Sequence, residues 1–110
     1  MDEVKRAKTE ALFRDVNERI AESAGRFAAE TAEFVCECAD PNCTHRIETT
    51  LEHYDEVRED ATHFLLVPGH EETDIERVVE RRGPKLAVVE KFERVVARTV
   101  RQLDPRAEPA

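Results

Sequence analysis

Phe34-Val35-Cys36-Glu37-Cys38-Ala39-Asp40-Pro41-Asn42-Cys43 carries all three cysteines of this 110-residue chain within eight positions. Two cysteines at i and i+2 on a flat strand stand about 6–7 Å apart, given a rise of about 3.3 Å per residue. That is too wide for two ligands of one ion, so a strand entering at Phe34 should break near Cys36 and fold over as a loop. Asp40-Pro41-Asn42 supplies the return, because proline suits the first central position of a turn and aspartate the position before it. The turn brings Cys43 back toward Cys36 and Cys38. Three thiolates need one more donor to complete a tetrahedral site.

Four histidines compete for that place. His45 follows Cys43 so closely that it would need a very tight loop. His53 is expected on the outer face of a helix, and His63 precedes a buried strand. His70 sits in Pro68-Gly69-His70-Glu71, on a turn that closes the apolar strand Phe64-Leu65-Leu66-Val67. It is the favoured ligand, with His45 and His63 as alternatives. Glu71, Glu72 and Asp74 are candidates to orient its imidazole.

Around this loop the pattern is mixed. Residues 3–27 have a helical period, with Leu12, Phe13, Val16, Ile20, Ala24 and Phe27 on one stripe. Arg46 to Thr49 reads as a second strand, and Thr50 as the cap of a helix over 51–60. Residues 76–90 suit two readings: Ile75, Val78 and Val79 fit one face of a helix, but Val78-Val79 and Leu86-Ala87-Val88-Val89 flank Arg82-Gly83-Pro84-Lys85, which favours a hairpin. After Glu90 a helical stripe returns at Phe92, Val95, Val96, Val100 and Leu103, beside a basic one at Arg94, Arg98 and Arg101. The fold class is α+β: an N-terminal helix, a small and mostly antiparallel sheet with one packed helix, a metal-stapled loop and a C-terminal helix. The domain expected over residues 1–91 includes the N-terminal helix. Residues 92–103 form a helical extension, and 104–110, with two prolines, a disordered tail.

Composition narrows the function. Five Phe, one Tyr and no Trp make a thin core under a surface where 38% of residues are charged. A structural metal, with apparent binding energies of roughly 10–16 kcal/mol, would rival the whole stability of such a domain. The net charge of −8 argues against nucleic acid as a partner. Residues 75–101 nevertheless carry 8 Lys and Arg against 4 Asp and Glu, where residues 1–74 carry 8 against 19. No stretch reads as a signal peptide or a membrane span, so the expected location is the cytoplasm. Disulfides are rare there, and an odd cysteine count suits them badly.

Zinc is the metal this donor set favours. A [2Fe–2S] cluster is the alternative, since three cysteines and a histidine hold one in the CDGSH iron–sulfur proteins. Here Thr44-His45 follows Cys43, the family's glycine is missing and the spacing differs. A catalytic zinc with Glu71 as base is disfavoured, because three thiolates leave the metal a poor Lewis acid. Zinc-bound thiolates can also be oxidised with release of the metal, which would make a redox-responsive switch.

Phe34-Val35-Cys36-Glu37-Cys38, Asp40-Pro41, Cys43, Thr50-Leu51, Tyr54 and Val57-Arg58 resemble a family of small, uncharacterised bacterial proteins of actinobacterial type. So do Phe64, Pro68-Gly69-His70-Glu71, Glu76-Arg77-Val78-Val79-Glu80-Arg81 and Val88-Val89-Glu90-Lys91, with the lead-in Leu12 to Ile20. The resemblance spans residues 11–91. It implies that Cys36, Cys38, Cys43 and His70 form one signature and brings no activity with it. The resulting expectation is a zinc-binding, non-catalytic interaction or regulatory module. Its terminal helices would meet a protein partner or a second copy.

Overall fold

The structure is a computed structural model and describes residues 2–106. Helix α1 runs Glu3–Arg26, starting at Asp2, whose carboxylate accepts the Lys5 N–H at 2.8 Å. It ends in a Schellman turn in which the Ala29 N–H reaches the Ala24 carbonyl at 3.0 Å. This turn holds Ala28 at φ 55°, a left-handed conformation usually left to glycine. Strands β1 (Thr31–Val35) and β2 (Arg46–Thr50) pair antiparallel, Thr31 opposite Thr50 and Val35 opposite Arg46. Thr50 then caps α2 (Leu51–Val57), accepting the His53 N–H at 3.0 Å.

Strands β3 (His63–Leu66), β4 (Glu76–Arg82) and β5 (Leu86–Lys91) make a second antiparallel sheet in the order β3-β5-β4. The β4–β5 pair is the expected hairpin, with Gly83 at φ 65° in its three-residue turn. A bulge at Val79 interrupts the pairing. Helix α3 (Arg94–Gln102) lies along α1. The architecture is therefore α+β, with two small sheets in place of one.

The core lies where the sheets meet α1. Phe34 from β1 stacks on Tyr54 from α2 with ring centroids 4.4 Å apart. Phe64, Leu65, Leu66, Val89, Val96 and Val100 are fully buried with them. Helix α3 thus contributes to the same core as the β-strands rather than extending beyond it. Asp104 and Arg106, from the segment expected to be disordered, are tied down: Asp104 to Arg58, and Arg106 to Glu18 and Asp55. Residues 107–110 of that segment lie outside the described residues.

Two expectations fail on side-chain direction. The stripe of α1 does not face inward. Leu12, Val16 and Phe27 are exposed, and the buried face carries Arg6, Ala7, Glu10, Ala11, Arg14 and Asn17. Polar residues can occupy this face because each finds a partner. Arg14 donates to the Ala61 and Val100 carbonyls, Glu10 meets Lys91, and Asn17 bonds both backbone groups of Val35. His53 likewise does not sit on the outer face of α2. It is buried between Thr49 and Glu80, 3.0 Å from each, and links α2 to β4.

Candidate metal centre

Strand β1 ends at Val35, so the cysteines fall on irregular backbone, as the spacing demands. The Cys36 N–H bonds the His45 carbonyl at 3.1 Å and closes the loop at its base. At the tip the Cys43 N–H returns to the Asp40 carbonyl at 3.1 Å, and the Asn42 N–H to the Asp40 carboxylate at 2.9 Å. Asp40-Pro41-Asn42 is the expected turn.

A second turn delivers the histidine. The His70 N–H meets the Val67 carbonyl at 3.0 Å, with Pro68 and Gly69 between. Gly69 at φ 97° is the residue such a turn reserves for a backbone without a β-carbon. This places the His70 Nδ1 3.6 Å from the Cys36 Sγ and 3.7 Å from the Cys43 Sγ. One donor atom from each of Cys36, Cys38, Cys43 and His70 lies within 4.8 Å of all the others. A tetrahedral ion with metal–sulfur bonds near 2.3 Å and a metal–nitrogen bond near 2.0–2.1 Å would hold sulfur and nitrogen about 3.6 Å apart. The cluster has the size of a single-ion shell, and these four residues could hold a metal.

Compared with models of known families, with curated proteins and with solved structures, the chain matches none.

The surroundings act differently on the three thiols. The Val67 N–H donates to the Cys36 sulfur at 3.3 Å. The neighbouring Cys36 and His70 side chains draw the Cys38 thiol down. The neighbouring Cys38, with burial, pushes Cys36 up, and burial also raises Cys43. A metal at this cluster would be ligated by the thiolate forms. All three cysteines are free of disulfides.

Glu37, between the two ligating positions, points the other way. It is fully buried, and its two oxygens accept the Leu65 N–H at 2.9 Å and the Asn17 side-chain amide at 2.8 Å. Its own N–H bonds the Leu65 carbonyl at 2.8 Å. Burial pushes its carboxyl up. Glu37 thus fixes the cysteine loop to β3 and α1 with no bond to a metal. The alternation of side chains at 36, 37 and 38 was the only signal of this in the sequence.

The other histidines are placed elsewhere. The ring of His45 stands edge-on to His70, centroids 4.8 Å apart, without joining the four donors. His63 lies between Asp60 at 3.6 Å and Glu90 at 3.2 Å. Those three could also gather round an ion, but Glu90 is paired with Arg77 at 2.7 Å and Asp60 accepts both Thr62 donors. They form a surface ion-pair group. Two of the carboxylates expected to orient His70 are engaged elsewhere: Glu71 accepts the Gly69 N–H, and Asp74 pairs with Arg6. Among the described residues no helix is long and apolar enough to cross a membrane.

Proposed function

We propose that the protein is a small zinc-binding module of non-catalytic, interaction or regulatory duty, in which zinc on Cys36, Cys38, Cys43 and His70 staples the cysteine loop to the end of β3. The observation that carries this is the 3.6–3.7 Å separation of two cysteine sulfurs from the His70 nitrogen, which is the edge of a zinc tetrahedron. A two-iron cluster would divide the same donors into two pairs standing farther apart. A hydrolytic zinc would need an open coordination place, which four protein ligands fill. Burial of Cys36 and Cys38 keeps oxidants from two of the three sulfurs and favours a permanent staple over a redox switch. Free thiols suit a reducing compartment such as the cytoplasm.

Elemental analysis and a visible spectrum of protein purified without chelator test the proposal. One zinc per chain and a colourless solution are expected. Iron with visible absorption, or a metal-free protein of unchanged stability, would overturn it. His70→Ala should lower zinc content and thermal midpoint together.

A further inference from the structure

Helix α1 is built inside out. Its buried face carries Arg6, Glu10, Arg14 and Asn17, while most of its apolar stripe is exposed: Leu12 is 62% exposed, Val16 38% and Phe27 82%, with Ile20 half-buried between them. Leu12 and Phe27 are the most exposed of the row, and Ile20 packs partly against the core. Isolated exposed apolar residues are ordinary, but a continuous row over four helical turns marks an interaction surface.

The charges beside the stripe identify the occupant. Asp15, Arg19, Glu22 and Arg26 follow one edge of it with alternating sign, and intrahelical pairs join Arg19 to Asp15 and Arg26 to Glu22. When two helices pack antiparallel about a two-fold axis, each edge meets the same edge of the other helix, reversed. About an axis between residues 20 and 21, Asp15 then faces Arg26 of the second copy and Arg19 faces Glu22. All four contacts across the axis join opposite charges. The same axis brings Leu12 toward Phe27 of the other copy and Ile20 toward its own equivalent. This edge is its own electrostatic complement, and only in the antiparallel sense.

We infer that α1 pairs antiparallel with α1 of a second copy, through Leu12, Val16, Ile20 and Phe27. This names the partner that the interaction-module reading leaves open, and it does not depend on the metal. The stripe from Leu12 to Phe27 is about 23 Å long at 1.5 Å per residue. One helix pair of that length falls at the small end of specific interfaces, so the dimer is reversible and concentration-dependent.

Sedimentation equilibrium from about 1 to 500 µM, with zinc content measured on the same samples, tests the inference. The wild-type protein should pass from monomer to dimer, and Phe27→Ser should move that midpoint at least tenfold higher. A wild type that stays monomeric throughout would overturn the inference and leave the stripe to a different partner, whatever its zinc content. Mixing is the sharper test. Asp15→Arg with Glu22→Arg makes the edge wholly basic, and Arg19→Glu with Arg26→Glu makes it wholly acidic. Each double variant should be monomeric alone, and the two should form a heterodimer when combined. Misfolding cannot produce such a gain. Self-association of either variant, or a mixture that stays monomeric, would rule out the antiparallel pairing.

Discussion

At the scale of the residue, the loop of the candidate metal centre is anchored by a side chain that does not join its donors. Glu37 has both carboxylate oxygens engaged, and its partners cannot be rearranged. Asn17 spends its carbonyl on the Val35 N–H at 2.7 Å and its amide on the Val35 carbonyl at 2.9 Å and on Glu37. Replacing Glu37 with Gln introduces an NH2 that must face either the Asn17 amide or the Leu65 N–H. Both are donors. Glu37→Gln should therefore cost about 1–3 kcal/mol in chemical denaturation, the penalty of one buried unmatched donor. It should also weaken zinc retention against a chelator, although every ligand is intact. A variant as stable and as zinc-retentive as wild type would show that the loop is held by the metal alone. The clustering of Cys36, Cys38, Cys43 and His70 was legible in the sequence because spacing and turn residues constrain it: Pro41 and Gly69 announce the two turns. Glu37 was not, because a glutamate between cysteines reads as surface until the partner for its carboxylate is known.

At the scale of the element, periodicity located α1 to within a residue and misjudged which side is buried. A 3.6-residue repeat of apolar side chains measures amphipathicity, and burial of the apolar side is an inference added to it. In α1 that inference fails because Arg14, Asn17 and Glu10 find partners in three other elements, while Leu12, Val16 and Phe27 stay exposed and Ile20 is only half-buried. The strands were read more securely, since β3 and β5 are short apolar runs bounded by turn signals. The hairpin follows from Gly83-Pro84. The inverted helix makes a measurable contrast. Ala7 is wholly enclosed, so Ala7→Leu should overpack its site and cost about 1–3 kcal/mol. Leu12→Ser removes a far larger apolar group from an exposed position and should change stability by no more than about 0.5 kcal/mol. Both are measured by urea denaturation at low micromolar protein, below self-association. A costly Leu12→Ser would mean that the stripe is covered within the single chain.

At the scale of the whole molecule, two small sheets and three helices meet over a centre that is partly ionic. Lys91 from β5 is fully buried and bonds both Glu10 of α1 and Glu76 of β4. Its ammonium also lies 4.6 Å from the centroid of the Phe64 ring, and the Arg14 guanidinium lies 4.2 Å from it on the same residue. One cation cannot satisfy two buried carboxylates equally. The Oε1 oxygen of Glu10 has no hydrogen-bond partner, so its ionised form is poorly solvated. Burial, with repulsion from Glu76 and against the attraction of Lys91, raises the Glu10 carboxyl from 4.5 to about 8. Between these values the folded protein holds a proton that the unfolded chain has released. The contribution of Glu10 to stability is thus complete below about pH 4.5 and is lost as pH rises toward 8. Binding of the proposed zinc to thiolates would run in the opposite sense, because it releases protons. The two effects separate in a comparison with Glu10→Gln, which keeps the metal ligands and cannot titrate. Urea midpoints at pH 5.5, 6.5 and 7.5 should show wild type losing stability relative to Glu10→Gln as pH increases. Parallel pH profiles would mean that Lys91 keeps Glu10 ionised throughout, and that the centre of the molecule is a permanent ion triad rather than a site of proton uptake.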